Sequence, residues 1–156
     1  MTQLTEHFSL AELTASDTAA QEGIDNTPSD EITSNLQGVA EGLEKVRAIL
    51  GTPMHINSGY RCAALNAAVH GVAHSAHEEG FAADFTSPDF GEPLAIVQHL
   101  QQTDLAFDQI IQEGTWVHIS FDPQMRHQVL TAHFNNGVAT YTKGVPATID
   151  EDSHGL

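Results

Sequence analysis

The sequence predicts an α+β fold in which an antiparallel sheet is flanked by helices. Three observations carry this expectation. Ile32, Leu36, Val39, Leu43, Val46 and Leu50 recur at alternating spacings of four and three, the period of one apolar helix face. Several short segments with strand character are bounded by turn residues, and Asn136-Gly137 between two of them is a strong type I′ hairpin signal. The helices and strands do not alternate as regular βαβ units, which leaves hairpins and an antiparallel sheet.

Taken in order, the elements have local reasons. Ser9 fits an N-cap with Glu12 three residues on, opening a short helix. Residues 14–29 are polar, rich in Ser, Thr, Asp and Asn, and read as loop. Thr27-Pro28-Ser29-Asp30 reads as a capping box with Pro at the first helical position, and Gly51 ends the long helix that follows. Residues 53–57 form a short strand leading into Ser58-Gly59-Tyr60-Arg61, and 62–70 a helix stopped by Gly71. Residues 73–80, with His74 and His77, read as loop, 81–85 as a strand and 93–102 as a helix. Segments 107–112 and 116–121 are strands around a turn at Gly114; 128–134 and 138–143 flank Asn136-Gly137. With no internal repeat, residues 1–145 are expected to form one domain. Residues 146–156 are acidic and nearly free of bulky side chains, and are expected to be a disordered tail.

Composition removes several function classes. Of the 156 residues, 21 are acidic and 5 basic, a net charge of −16. Nucleic acid and anionic lipid both require patches of Lys and Arg, so neither is an expected partner. The charge reads as a solvated, self-repelling surface, and a monomer is expected. No run of about 18 apolar residues is available for a membrane helix. Residues 1–7 lack the basic and apolar regions of a secretory signal, so synthesis in the cytoplasm is expected. The lone Cys62 cannot form an internal disulfide. Ten histidines make metal binding worth testing.

A hydrolytic zinc ion takes three protein donors from His and carboxylate and leaves one position for water. His77 in a loop and Asp84 on a strand are seven residues apart, with Gly80 between them to let the chain turn. His118 lies on a strand between Val117 and Ile119, and alternation directs it away from the face those two bury. His70 and His74 are near enough in sequence to compete with His77.

The run Ser75-x-His77-x-x-Gly80-x-Ala82-x-Asp84, followed by Trp116-x-His118, resembles the zinc D-Ala-D-Ala carboxypeptidase family. That family includes phage endolysins cutting L-alanyl-D-glutamate bonds and shares a fold with the Hedgehog signalling domain. Phe8-Ser9-Leu10-Ala11-Glu12-Leu13, Asp25-Asn26-Thr27-Pro28, Ile56-Asn57-Ser58-Gly59-Tyr60-Arg61 and Phe107-Asp108-Gln109-Ile110-Ile111 are similar to segments of its small phage and prophage members. The resemblance covers roughly residues 7–145. It implies a Hedgehog/DD-peptidase-like fold and one zinc ion per chain on His77, Asp84 and His118. It also implies that Arg61 polarises the scissile carbonyl, a role suited to an always-charged guanidinium with forked donors. Ser75 is a candidate substrate contact, or a turn residue.

One position departs from the family pattern. Better-known relatives carry a carboxylate three residues before the last histidine, where this chain has Thr115. The nearest acid is Glu113, and five residues along a regular strand would put it on the opposite face from His118. A bulge or tight turn at Gly114 would bring it back. The small phage-type members that the chain resembles carry their acid in this shifted position, which implies Glu113 as the general base, with Asp108, Glu78 and Glu79 as alternatives.

The resemblance implies a zinc-dependent peptidase acting on peptidoglycan stem peptides at the cell wall, after phage-mediated release. L-alanyl-D-glutamate endopeptidase and D-Ala-D-Ala carboxypeptidase both remain open. The second expectation, drawn from Thr115, is an inactive zinc-binding structural module such as a virion or tail component.

Overall fold

The computed structural model describes residues 2–72 and 74–146, so the tail expected from 146 lies outside it beyond its first residue. In chain order the elements are α1 (Leu10–Thr14), α2 (Asp17–Glu22), α3 (Asp30–Leu50), β1 (His55–Ser58), α4 (Ala63–Ala68), β2 (Ala82–Thr86), α5 (Pro93–Leu100), β3 (Gln109–Gln112), β4 (Val117–Ser120), β5 (Gln128–Asn135) and β6 (Val138–Lys143). No described helix is long and apolar enough to cross a membrane.

Local chemistry sets the helix ends. Ser9 and Glu12 form the expected capping box on α1, each side chain accepting from the other's backbone N–H. The long helix α3 starts later than expected. Its N-cap is Ser29, whose hydroxyl accepts from Ile32 N, so Pro28 precedes the cap instead of occupying the first helical position. Residues 14–29 are not all loop: Ser16 caps the short α2, and Gly23 closes it in the left-handed conformation. The small polar residues there are partly helix caps.

The strands form one sheet in the order β1-β2-β4-β3-β5-β6. Four pairings are antiparallel, as expected, but β3 and β5 run parallel. The reason is topological. β4 pairs with β3 on one side and β2 on the other, so the next strand cannot join β4 and instead crosses to the free edge of β3. Reversing direction once after β4 makes it parallel to β3. Asp108 holds this crossing, accepting from Arg126 Nε and Nη2 at 2.9 Å each and from Arg126 N at 3.0 Å.

One face of the sheet is the core face. Ala83, Phe85, Ile110, Val117 and Ile119 pack there against Leu36, Val39, Leu43 and Val46 of α3 and Ile96, Val97 and Leu100 of α5. Burying each large side chain contributes about 1.5–3 kcal/mol. Alternation sends Asp84, His118 and Ile111 to the opposite face. The sheet thus separates the apolar core from the candidate functional residues.

Candidate metal centre

The sheet register brings two donors together directly. Asp84 on β2 is the Cα partner of His118 on β4, so both side chains leave the same face side by side. His77 arrives from a turn closed by Glu78 N donating to Ser75 O and Phe81 N donating to Ala76 O, each at 3.0 Å. Gly80 completes that turn at φ +76°, and a Cβ there would press on Ile32 Cγ2 at 3.0 Å. Glu78 clasps the loop, its Oε2 accepting from Asn66 Nδ2 at 3.0 Å and His74 N at 2.8 Å.

The three donor atoms form a nearly equilateral triangle. His77 Nε2 lies 3.2 Å from His118 Nδ1 and 3.2 Å from Asp84 Oδ1, and His118 Nδ1 lies 3.1 Å from Asp84 Oδ1. Donors bound tetrahedrally to zinc at its usual N and O distances stand about 3.3–3.4 Å apart. The group therefore fits one such ion. His77 Nδ1 donates to Gly59 O at 2.8 Å, which fixes the tautomer and leaves the Nε2 lone pair free to ligate. Gly59 is itself constrained: a Cβ would lie 2.3 Å from Leu13 O.

Electrostatics favour the ligating protonation states of His77 and Asp84. All three residues are buried. Burial pulls the His77 pKa below its ordinary value, keeping the imidazole neutral, although Asp84 pushes the other way. Burial raises the Asp84 pKa, but His77 and His118 more than offset it, and the carboxyl stays well below the usual carboxylate range. Among the described residues, His77, Asp84 and His118 are the group placed to hold a metal ion. The rivals His70 and His74 are exposed and stand outside it, each with positive φ.

The family model described as Peptidase M15 matches residues 6–120, a stretch that contains all three donors. The chain belongs to the Peptidase M15 family. M15 is a family of zinc peptidases related to D-Ala-D-Ala carboxypeptidase, in line with the expected resemblance. A comparison with curated proteins gave no match.

In this M15 chain Arg61 sits beside the donors. Its backbone N–H donates to His77 O at 3.1 Å, so the arginine and the histidine loop are placed together. Its Nε is buried without a hydrogen-bond partner among the described residues. Such an orphan donor is costly unless a ligand meets it. Burial lowers the Arg61 pKa, while Asp84, Glu113 and Glu78 oppose that from a distance. Asn26 holds the segment from both sides, donating to Tyr60 O (3.0 Å) and Thr14 O (3.0 Å) and accepting from Cys62 N (2.8 Å).

Glu113 reaches the donor face through the tight turn. Gln112 pairs with Val117, and Glu113 N donates to Trp116 O at 3.0 Å, so the chain reverses over Gly114 and Thr115. Gly114, at φ +85°, is the centre of a γ-turn closed by Thr115 N donating to Glu113 O. Face parity must then be counted across the hairpin. Ile111 pairs with His118, and Glu113 lies two residues beyond Ile111, on the same face. Trp116 Nε1 donates to Glu113 Oε2 at 2.6 Å. Burial and then the Asp84 charge raise the Glu113 pKa.

The other acids are differently engaged. Asp108 is buried and paired with Arg126, Glu78 clasps the His77 loop, and Glu79 is exposed. Ser75 Oγ makes a long 3.5 Å contact with Asn66 Oδ1. A cleft of about 390 Å³ opens beside the donors, lined by Asp84, Arg61, Trp116, Tyr60 and Asn57 and walled by residues 15–18. The sequence reading missed the roles of Asn26 and Gly59. Both lay within segments of the resemblance, which was the available signal.

Proposed function

We propose that this M15 chain is a zinc-dependent peptidase that hydrolyses peptide bonds in peptidoglycan stem peptides, on a Hedgehog/DD-peptidase-like fold. The observation that carries the reading is a zinc-sized donor triangle with the Glu113 carboxylate on the same sheet face and, beside them, the buried Arg61 Nε that has no hydrogen-bond partner among the described residues. His77 Nε2, Asp84 Oδ1 and His118 Nδ1 would hold a single ion. When bound, zinc supplies a Lewis acid that acidifies water and polarises a carbonyl. Glu113 is the general base. Its Oε2 is held by Trp116, which leaves Oε1 to take the proton of the attacking water and return it to the departing amine. Arg61 donates to the carbonyl oxygen as it becomes negative, and its Nε then gains the partner it lacks. Ser75, two residues before His77, is the remaining proposed substrate contact. An endolysin-like action at the cell wall on either the L-alanyl-D-glutamate or the D-Ala-D-Ala bond belongs to the same proposal.

Glu113 on the donor face supports the peptidase reading over an inactive structural module, the alternative drawn from Thr115. Purified protein with bound zinc is expected to release new amino termini from peptidoglycan, and chelation to stop the release. Glu113→Gln is expected to keep about one zinc per chain and to lose at least about 100-fold in turnover. A zinc-loaded protein that releases nothing from walls of several types would overturn the peptidase reading.

A further inference from the structure

The C-terminal hairpin lies beyond the stretch matched to the family, yet it reaches the donor face. The registers place it. His118 pairs with Ile111, Ile111 with Leu130, Gln112 with Thr131, and Ala132 with Tyr141. Partners share a face, and so do residues two apart on one strand. Glu113, Ala132 and Tyr141 therefore form a row on the face that carries Asp84 and His118. Strands spaced about 4.8 Å apart leave roughly 10 Å between the Glu113 and Tyr141 backbones, a gap that the two side chains can largely span.

The two faces of the hairpin differ. On the far face Thr131 Oγ1 donates to Gly144 O at 2.6 Å, and His133 Nε2 meets Thr142 Oγ1 at 2.8 Å. On the donor face Phe134 is 55% and Tyr141 45% exposed, and the Tyr141 hydroxyl makes no hydrogen bond among the described residues. Partial burial, then Glu113 and Asp84, push the Tyr141 pKa up, so the hydroxyl stays protonated and able to donate.

We propose that Tyr141 is a substrate-contacting residue, its ring walling the groove on the Glu113 side of the donors and its hydroxyl donating to a backbone carbonyl of the bound peptide. This rests on the peptidase reading. The opposite wall is the junction of α1 and α2 with Asn57, so a peptide lying across the donors meets surface on both sides of its scissile bond.

The test is steady-state kinetics of the zinc-loaded full chain on a soluble stem pentapeptide, with Tyr141→Phe and Tyr141→Ala. Tyr141→Ala is expected to raise KM about tenfold and Tyr141→Phe about threefold, with kcat held within about threefold. Trp116, the single tryptophan, gives a second readout. Fluorescence titration of the pentapeptide into Glu113→Gln protein should show Kd weakened in the same ratios when either Tyr141 substitution is added. Zinc content and melting temperature should not change, because Tyr141 is half-exposed and holds no donor. A wild type that cuts the peptide, with both variants within about twofold in KM and Kd, overturns the role of Tyr141 and leaves the peptidase reading standing. A loss confined to kcat overturns it equally. A wild type that neither cuts nor binds overturns the peptidase reading, and this role with it.

Discussion

Removing the Asn26 amide should separate stability from catalysis in a measurable way. The side chain makes three hydrogen bonds of 2.8–3.0 Å, to Thr14 O, Tyr60 O and Cys62 N, and the last two flank Arg61. A neutral hydrogen bond contributes about 1 kcal/mol net, and Asn26 is only half-buried, so water can replace part of the set. Asn26→Ala should therefore cost about 2 kcal/mol, which lowers Tm by about 4–8 °C for a domain of this size. None of the three bonds involves a metal donor, so bound zinc should stay at the wild-type level. Catalysis should suffer more than stability implies. With Tyr60 and Cys62 released, the Arg61 guanidinium loses its fixed aim, and kcat should fall at least about tenfold with little change in KM. Asn26→Asp keeps the acceptor for Cys62 N and should lie between the two. Calorimetry, metal analysis and peptidoglycan hydrolysis on the same preparations read all three quantities. An Asn26→Ala protein with the expected Tm loss but wild-type kcat would refute the link to Arg61, and an unchanged Tm would refute the weight given to the bonds.

Gly59→Ala forces a Cβ against the Leu13 backbone at 2.3 Å, so it should destabilise by about 1–3 kcal/mol. It should also weaken zinc retention by displacing the carbonyl that orients His77, which competition with a chelator would measure. Trp116→Phe removes the indole N–H that stabilises ionised Glu113. The Glu113 pKa should rise further, and the acid limb of kcat/KM should move to higher pH; a limb that stays in place excludes Glu113 as the titrating base. Asp108→Asn weakens the Arg126 clamp and should cost about 1–3 kcal/mol while kcat is retained, whereas loss of turnover in a folded protein would make Asp108 the base instead. Because the Asp108 pKa is lowered, chiefly by its hydrogen bond from Arg126, its contribution to stability is present above the unfolded pKa. It is lost as pH falls through the folded value, a loss that Asp108→Asn should abolish.

What the sequence revealed was what periodicity and local chemistry encode. The stripe from Ile32 to Leu50 became α3, and Asn136-Gly137 became a turn with both residues at positive φ. His118 emerged opposite the buried Val117 and Ile119 because alternation is a local rule. The parallel β3–β5 pairing was not legible, since it depends on which sheet edge is free after β4 has paired on both sides. A strand count alone sets Glu113 opposite His118, and the turn anticipated at Gly114 returns it to the donor face because the count runs across two strands. Asn26 looked like one more polar loop residue because its partners belong to Thr14, Tyr60 and Cys62, distant in sequence. Ser29 displaced Thr27 as the helix cap because only one of two suitable hydroxyls can face the first turn.

Asp84 and His118 belong to β2 and β4, both interior strands, while β1 and β6 take the edges. Fraying begins at edges, so the amides around these two donors should exchange with solvent only when the sheet opens broadly. The apolar core lies on the other face and holds the chain together without the ion. A chain starved of zinc should then persist as a folded, refillable vessel, unlike small zinc domains that unravel when stripped. Its activity would follow the local supply of metal reversibly, without passing through unfolding and loss.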